Sequence, residues 1–187
     1  MIKRCSWSDS TEMMQQYHDH EWGKPLYDDY RLFELMCMEM YQAGLSWRTV
    51  LNKRAAFNED FYNYDLHKVA DMSEADWQPL MQDARIIRNR AKLAATVNNA
   101  KAFLKVQADY GSFAEYWWGF VNNQPIINDV PNDAAVPAKT GLSEMIAKDL
   151  KKRGFKFMGP VAVYAFMQAS GLVDDHLNQC AFKTAVN

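Results

Sequence analysis

Apolar residues recur at helical spacing along most of the chain. In the stretch 86–107, Leu93, Val97, Ala100 and Leu104 lie three or four positions apart, so they share one stripe of a helix. Few stretches alternate strictly between apolar and polar residues, as half-buried strands do. The pattern therefore predicts an all-α fold.

Capping signals divide this pattern into helices. Ser, Thr and Asp side chains accept hydrogen bonds from the free N–H groups of a first helical turn, and Gly often follows a last turn. Ser10 or Thr11 begins a predicted helix that ends near Glu21, Asp28 or Asp29 is expected to cap the next one, and Ser73 with Asp76 resembles a capping box. The other predicted helices cover residues 29–42, 47–57, 86–107, 113–120, 143–152, 161–170 and 174–180, with one long loop, rich in Asn, Asp and Pro, over 121–139.

The composition is that of an ordinary globular protein. The chain has 187 residues, of which 49% are hydrophobic and 24% are charged. From that length we expect one domain over residues 1–187, or two closely packed lobes. No run of about 18 apolar residues is present to span a bilayer, and the N-terminal residues lack the apolar stretch of a secretory signal. We therefore expect a cytoplasmic protein that does not bind a membrane.

Cysteine and histidine residues near the two ends of the chain form a possible metal site. The three cysteines, Cys5, Cys37 and Cys180, cannot all pair, and the cytoplasm keeps thiols reduced. On a helix, positions four apart share a face, so His176 and Cys180 would hold one ion together. With Cys5 and His18 they form a closed tetrahedral set that suits structural zinc and leaves no position for an activated water.

The alternative is that these four side chains are unrelated core residues. Spacing alone favours that alternative, because a Cys and a His separated by twelve residues do not match a standard zinc finger. His20 is also a rival of His18 as a ligand.

Positive charge is concentrated in two segments of the chain and does not dominate the whole molecule. The net charge is −2, so the whole molecule gives no reason to expect an anionic polymer as a partner. Residues 85–105 contain six Lys or Arg and no acid, and residues 148–156 contain five with one Asp. Blocks of this kind are more often solvated helix faces than binding sites.

Residues 151–160 end one predicted helix, turn and begin another. Gly154 suits the left-handed position after a helix, and Pro160 suits a first helical turn. Such a turn directs free backbone N–H groups at the positive end of a helix outward, where a phosphate can bind. A plain turn with a solvated basic flank is an equally good interpretation of these residues alone.

One carboxylate interrupts an apolar helix. Residues 35–41 are apolar almost all round, so this helix is expected to be buried and to carry Glu39 into the core. A buried carboxylate is costly unless it is paired, so Glu39 is either functional or a satisfied structural residue, and the pattern alone favours the structural role. Tyr17 and Trp22 precede it and Trp47 follows. Aromatic residues are usually core residues, but ring faces with one acceptor also form a pocket for a flat cation.

Several short motifs extend over almost the whole chain. They are Arg4-Cys5, Tyr17-His18-Asp19, Glu21-Trp22-Gly23, the run Gln42 to Trp47, Phe120-Val121-Asn122, Gln124-Pro125, the run Lys151 to Phe157, and Phe166-Met167-Gln168-Ala169. Together they resemble the DNA-3-methyladenine glycosylase I family, within the helix-hairpin-helix glycosylase superfamily.

This resemblance implies a fold and an activity. The implied fold is a helical glycosylase-like domain whose termini are joined by structural zinc on Cys5, His18, His176 and Cys180. The implied activity is DNA repair, in which a 3-methyladenine is flipped out of the duplex and its N-glycosidic bond is hydrolysed. The implied partners are double-stranded DNA with alkylated bases and free 3-methyladenine as product, and we expect a monomer.

The resemblance also assigns roles to single residues. Tyr17 and Trp47 are expected to sandwich the cationic base, with Trp22 nearby. Glu39 is expected to accept hydrogen bonds from the amino edge of the base and is the first catalytic candidate. The expected DNA contacts lie in the hairpin, at Lys152, Arg153, Gly154, Lys156 and Gly159.

Four positions depart from the pattern that is associated with the family. Arg85 and Ala91 stand where Gly is expected, and Pro160 stands where a hydroxyl residue is expected; these concern phosphate contacts and loop shape. Asp174 stands where Asn is frequent, near the place of the catalytic carboxylate in the wider superfamily. It is therefore a second catalytic candidate, and the alternative is a helix cap or a partner of His176.

Two other functions remain as alternatives. A non-catalytic protein that binds alkylation lesions would keep the pocket and the hairpin. A zinc hydrolase or deaminase would need an open metal position and a motif such as H-x-E with P-C-x-x-C, and the sequence contains neither motif.

Overall fold

Helices form most of residues 2–184, the part of the chain that the computed structural model describes. The α-helices are α1 (Glu12–His20), α2 (Asp29–Gln42), α3 (Trp47–Asn52), α4 (Arg54–Asp60), α5 (Leu66–Asp71), α6 (Glu74–Trp77), α7 (Arg90–Tyr110), α8 (Phe113–Gly119), α9 (Gly141–Lys152) and α10 (Pro160–Ala169). Short 3-10 helices cover Ser6–Ser10, Tyr62–Tyr64, Gln78–Gln82 and Asp133–Ala135. The strands β1 (Ile126–Ile127) and β2 (Val173–Asp174) pair in parallel. The predicted helical class is confirmed, and in this part of the chain no helix combines the length and apolarity that a membrane crossing needs.

Helix α2 forms the centre of the core. Its residues from Leu32 to Tyr41 are all buried, and α3, α7, α8 and α10 pack against it. A helix that is apolar nearly all round can be enclosed on every side, as the sequence predicted for this segment. Glu39 lies in the last turn of α2, and only 6% of its surface is exposed.

The predicted caps are present at the helix starts. The Thr11 hydroxyl accepts a hydrogen bond from Met14 N (3.2 Å), the Asp28 carboxylate accepts one from Arg31 N (2.9 Å), and Ser73 with Asp76 forms the predicted capping box. These caps satisfy backbone donors that have no partner inside the helix. The starts of α1, α2 and α6 are therefore set by local sequence.

Helix α5 was not predicted, and two predicted helices differ from their bounds by more than two residues. The predicted helix over 47–57 is two helices, because Lys53 N–H bonds to Val50 O, three residues back, and its side chain bonds to the carbonyl oxygens of residues 84 and 85. Helix α7 begins at Arg90 rather than at residue 86, because Asn89 caps it by accepting from Lys92 N (3.1 Å).

The predicted helix over 174–180 is wrong. Residues 173 and 174 pair with β1, and Asn128 N donates to Asp174 O (3.1 Å). The Asp174 side chain then accepts from His176 N (3.0 Å), a local turn that competes with helix formation. His176 and Cys180 still come to one place, through the turn in which Cys180 N bonds to Leu177 O (2.8 Å).

The hairpin between α9 and α10 has the predicted form. Gly154 adopts a left-handed φ of +92° after α9, and Phe155 N bonds to Leu150 O (3.0 Å). Pro160 is the first residue of α10. Phe157 also has a left-handed φ, of +58°, which is uncommon for a residue with a bulky side chain.

Candidate functional site

A cavity of about 760 Å³ opens between α1, α2, α3 and α10. This volume is in the range of small-molecule sites. All four residues that were predicted to form the base pocket line it. Its polar and aromatic lining includes Tyr17, Trp22, Glu39, Trp47, Gln168 and Asp175.

The Glu39 carboxyl group forms no hydrogen bond and no salt bridge with the described residues. Burial is the one cause acting on its acidity, and it raises the pKa of Glu39 to about 8. The carboxyl group is therefore mostly protonated at neutral pH in the free protein. A cation or a strong hydrogen-bond donor that enters the cavity would stabilise the charged form.

Tyr17 and Trp47 lie against each other at the cavity wall. Their ring centroids are 5.2 Å apart, and their planes are inclined by 50°. The Tyr17 hydroxyl and Trp47 Nε1 are both buried without a hydrogen-bond partner within residues 2–184. Buried polar groups are nearly always paired, so two orphans that line one cavity indicate a polar ligand.

The expected sandwich of a base between these two rings is not preformed. A flat guest between two parallel rings separates them by roughly 7 Å, twice the contact distance of carbon atoms. Tyr17 and Trp47 are closer than that and are tilted. A base must therefore turn one ring aside or stack on one ring only.

Trp22 connects the cavity to the predicted metal site. Its ring is stacked on His18 (6.0 Å between centroids, 20° between planes) and meets His176 edge-on (4.6 Å). Trp7 also packs edge-on against Trp22 (5.1 Å between centroids). The side chains that would bind a metal therefore also support one wall of the cavity.

Three of the four predicted metal ligands form one group at the junction of the two chain ends, and His176 lies beside it. The ligand atoms of Cys5, His18 and Cys180 all lie within 4.8 Å of one another, and all three residues are buried. His176 Nε2 is buried without a partner, and the His176 ring centroid lies 5.0 Å from that of His18. His20, the rival ligand, is exposed and is not part of this group.

The surroundings of these ligands fit a metal ion. His18 Nδ1 lies 2.8 Å from Asp19 Oδ1, and His176 Nδ1 lies 2.8 Å from Asp174 Oδ1, which leaves both Nε2 atoms for a metal. Burial, aided by the adjacent Cys180 thiol, raises the pKa of Cys5 to about 12. Since thiolates are the ligands, metal binding here would release protons.

The hairpin offers free backbone donors. Within the described residues, no protein group accepts from the N–H groups of Phe157, Met158 and Gly159. They are consecutive, they precede the ten-residue helix α10, and Phe157 has a left-handed φ, a conformation found in backbone turns that bind anions. Lys156 is exposed beside them. This is the geometry of an anion site.

Comparison with known proteins identifies the family. The family model described as methyladenine glycosylase matches residues 7–184. The chain belongs to this family. It is 50% identical over 185 residues to the DNA-3-methyladenine glycosylase of Haemophilus influenzae, covering 99% of this chain and 100% of that one. It is 45% identical over 179 residues to DNA-3-methyladenine glycosylase 1 of Escherichia coli K12, covering 96% of each chain.

Solved structures of the family agree with this fold. A structure of 3-methyladenine DNA glycosylase I from Staphylococcus aureus, described as the structural basis of 3-methyladenine recognition, superposes with a TM-score of 0.95 at 40% identity, covering 100% of this chain and 99% of that one. A variant of 3-methyladenine DNA glycosylase I in complex with 3-methyladenine gives a TM-score of 0.95 at 39% identity, with 100% of both chains covered. The resemblance inferred from the sequence motifs is confirmed.

Some of the cations that drew attention in the sequence are already engaged. The Arg153 guanidinium bonds to Asp149 (2.7 Å) and lies 5.0 Å from the ring centroids of both Tyr110 and Tyr116. Arg153, a predicted DNA contact, therefore has its charge paired and its side chain fixed. Lys152, beside it, is exposed.

Basic residues in the segment 85–105 are also used within the protein. Lys92 is buried and donates to the carbonyl oxygens of Tyr41 and Ala43 (both 2.8 Å), which caps the C-terminal end of α2. Arg85 is held by Asp83 and by Glu59 (2.8 Å). At Arg85 and Lys92, these contacts therefore support a structural role of the basic segment 85–105 rather than a role in binding.

Asp174 lies outside the lining of the cavity. Its Oδ1 atom accepts from His176 N (3.0 Å) and lies 2.8 Å from His176 Nδ1, and its Oδ2 atom accepts from Thr184 N (2.7 Å). The residue is 1% exposed. This geometry supports the alternative role, a partner that orients His176, over the catalytic role.

Asp175, which the sequence analysis did not select, lines the cavity instead. Asp175 is 2% exposed, and its carboxylate accepts from Tyr164 Oη (2.6 Å), Gln168 Nε2 (2.7 Å) and Asn128 Nδ2 (2.7 Å). Neighbouring residues at the end of a strand point to opposite sides, so Asp174 and Asp175 face different sites. The sequence alone does not show which of two adjacent Asp residues faces the cavity.

Proposed function

We propose that this protein is a DNA-3-methyladenine glycosylase, which releases 3-methyladenine from alkylated double-stranded DNA by hydrolysing its N-glycosidic bond. One observation carries the proposal: the Tyr17 hydroxyl, Trp47 Nε1 and the Glu39 carboxyl group line one aromatic cavity, and none has a partner among the described residues. The names of the relatives and the bound 3-methyladenine of the similar variant structure support it.

The cavity would select the lesion through its charge. Methylation at N3 leaves adenine in DNA cationic, and the faces of Tyr17, Trp22 and Trp47 attract a flat cation. A cationic base would also lower the raised pKa of Glu39, so that a carboxylate accepts hydrogen bonds from the amino edge of the base. Neutral adenine would gain neither interaction. The protein would therefore distinguish the cationic base from neutral adenine through Glu39, which becomes charged only when the cationic base is bound.

The chemistry needs little acid catalysis. As the bond between C1′ and the base breaks, the bonding electrons leave with the base and neutralise its positive charge. Water forms the new bond to C1′ through an oxocarbenium-like transition state and loses a proton. We propose that Glu39 contributes by holding the leaving base in the cavity. Asp174 remains a weaker candidate for a catalytic role.

DNA binding would use the hairpin. A damaged base must leave the helical stack to enter the cavity, and a damaged base loses least by leaving it. We propose that the N–H groups from Phe157 to Gly159 bind a backbone phosphate and that Lys152 and Lys156 add charge attraction. Gly154 allows the turn, and Arg153 would act by fixing the hairpin rather than by touching DNA.

We also propose structural zinc on Cys5, His18, His176 and Cys180. Two buried thiols and two imidazoles with their Nδ1 atoms engaged are a suitable ligand set. When bound, the ion would supply folding free energy, and four protein ligands leave no site for an activated water. A compartment that keeps thiols reduced, such as the cytoplasm, would preserve these ligands. Because the cavity is lined by residues of one chain, we propose that the monomer is active.

The test is to incubate the protein with methylated duplex DNA and to identify the released bases by chromatography. We expect free 3-methyladenine from the wild-type protein and much less from Glu39→Gln. Tight binding to methylated DNA without release of any base would instead establish the alternative, a non-catalytic lesion-binding protein.

A further inference from the structure

The charged side chains that line the cavity are three carboxylic acids and one cation. Glu39, Asp133 and Asp175 are the acids, and Arg48 is the cation. A substrate with phosphates on both sides of the lesion must approach this lining closely. The carboxylates of the cavity lining, when ionised, repel the phosphates of the DNA. A cation at the mouth of the cavity would offset this repulsion.

Arg48 is the cation that is free to act there. It is exposed, and within the described residues its guanidinium has no carboxylate or hydrogen-bond partner, whereas the next two cations along the chain are engaged. Lys53 bonds to two backbone carbonyl oxygens, and Arg54 bonds to Glu34 (2.7 Å). An exposed Arg with no partner among the described residues is available to bind an external anion at the cavity.

We propose that Arg48 binds the DNA phosphate next to the extruded nucleotide. The inference rests on the proposed function, in which the base enters the cavity while its sugar and phosphates remain at the mouth. Arg48 directly follows Trp47, so the residue that contacts the base and the residue that contacts the phosphate share the first turn of α3. The planar guanidinium suits a phosphate, to which it can donate two parallel hydrogen bonds.

The test measures the salt dependence of DNA binding by Arg48→Gln, with a duplex that carries a tetrahydrofuran abasic-site analogue as the probe. Each phosphate that a protein neutralises adds about 0.9 to the slope of log K against log salt. We expect Arg48→Gln to lower the magnitude of that slope by about one and to weaken binding several-fold at low salt. Arg48→Lys should keep most of the slope, because it keeps the charge.

Arg31→Gln is the matched control, because it makes the same charge change on an exposed residue at the far end of α2. Affinity for free 3-methyladenine should be the same in wild type and Arg48→Gln, since the phosphate is absent from that ligand. An unchanged slope, an equal slope change in Arg31→Gln, or a parallel loss of free-base affinity would each overturn the proposal. Failure of the wild-type protein to release 3-methyladenine from methylated DNA would instead reject the proposed function, so the two failures are distinguishable.

Discussion

The rings of Tyr17 and Trp47 lie 5.2 Å apart, and each carries a buried polar atom that no other described residue satisfies. The free protein tolerates these orphan groups at a cost of about 1–3 kcal/mol each, the usual penalty for an unpaired buried donor or acceptor. A ligand that hydrogen-bonds to them would recover that free energy as affinity. These two side chains therefore lower the stability of the free protein and favour the binding of a polar ligand.

Tyr17→Phe separates these two effects. The change removes an unsatisfied hydroxyl and keeps the ring, so we expect the free energy of unfolding to stay the same or to rise. Affinity for 3-methyladenine should fall several-fold if the hydroxyl contacts the base. Thermal unfolding with and without 3-methyladenine gives both quantities in one experiment, and a variant that loses stability but keeps its affinity would contradict this account.

Glu39→Gln should weaken the binding of 3-methyladenine. The free base is neutral, so its hydrogen bond to Glu39 contributes about 0.5–1.5 kcal/mol, and we expect a loss of affinity of about two- to tenfold. The measurement is calorimetric titration with 3-methyladenine, with adenine as the control ligand. Equal affinities of the variant and the wild-type protein for 3-methyladenine would rule out the proposed role of Glu39.

The raised pKa of Glu39 also predicts how stability depends on pH. The folded protein holds the proton up to a pKa of about 8, whereas the unfolded chain loses it near 4.5. The native state therefore binds more protons between these values, and stability falls as pH rises from about 4.5 to 8. This contribution is absent from Glu39→Gln. We expect that variant to equal the wild-type protein near pH 5 and to exceed it by at most about 5 kcal/mol above pH 8. Denaturant unfolding across this range checks it, and parallel pH profiles of the two proteins would contradict it.

Cys180→Ser tests the metal site. We expect the wild-type protein to contain one zinc per chain and Cys180→Ser to lose most of it, with a lower Tm, because metal binding is coupled to folding. Cys37→Ala is the control, since Cys37 is buried in the core away from the ligand group. Elemental analysis and thermal unfolding are the measurements. A metal-free wild-type protein whose Tm does not respond to added zinc would exclude the site.

Asn99→Ala tests the support of the hairpin. Asn99 is fully buried, accepts from Lys156 N (2.8 Å) and donates to Lys156 O (3.0 Å). Without this clamp the left-handed Phe157 is expected to relax, and the run of free N–H groups should lose its shape. We expect weaker binding of damaged and undamaged duplexes alike, with unchanged affinity for free 3-methyladenine. Asn58→Ala is the control, because it makes the same change at a half-buried Asn in α4, outside the hairpin. Selective loss of free-base affinity in Asn99→Ala would contradict this role.

Local signals in the sequence predicted much of this structure. The caps at Thr11, Asp28 and Ser73 act on the turn that follows them, and Gly154 with Pro160 defines the hairpin, so each can be identified from a few neighbouring residues. The burial of Glu39 followed from the apolar run around it. These features need no knowledge of distant contacts.

Features that depend on distant contacts were not predictable. The segment 174–180 is not helical because its first residues pair with β1, about 47 positions earlier in the chain. That pairing also decides that Asp175, not Asp174, faces the cavity. The separation of Tyr17 from Trp47 depends on how α1 packs beside α3, which the spacing of aromatic residues does not reveal.

The most direct test of the central claim is a crystal structure of the protein with 3-methyladenine. We predict that the base lies in the cavity, in contact with the Trp47 ring, with a Glu39 carboxylate oxygen within about 3.2 Å of its amino edge. A base that binds outside this cavity, or that lies in it without any contact to Glu39, would contradict the account.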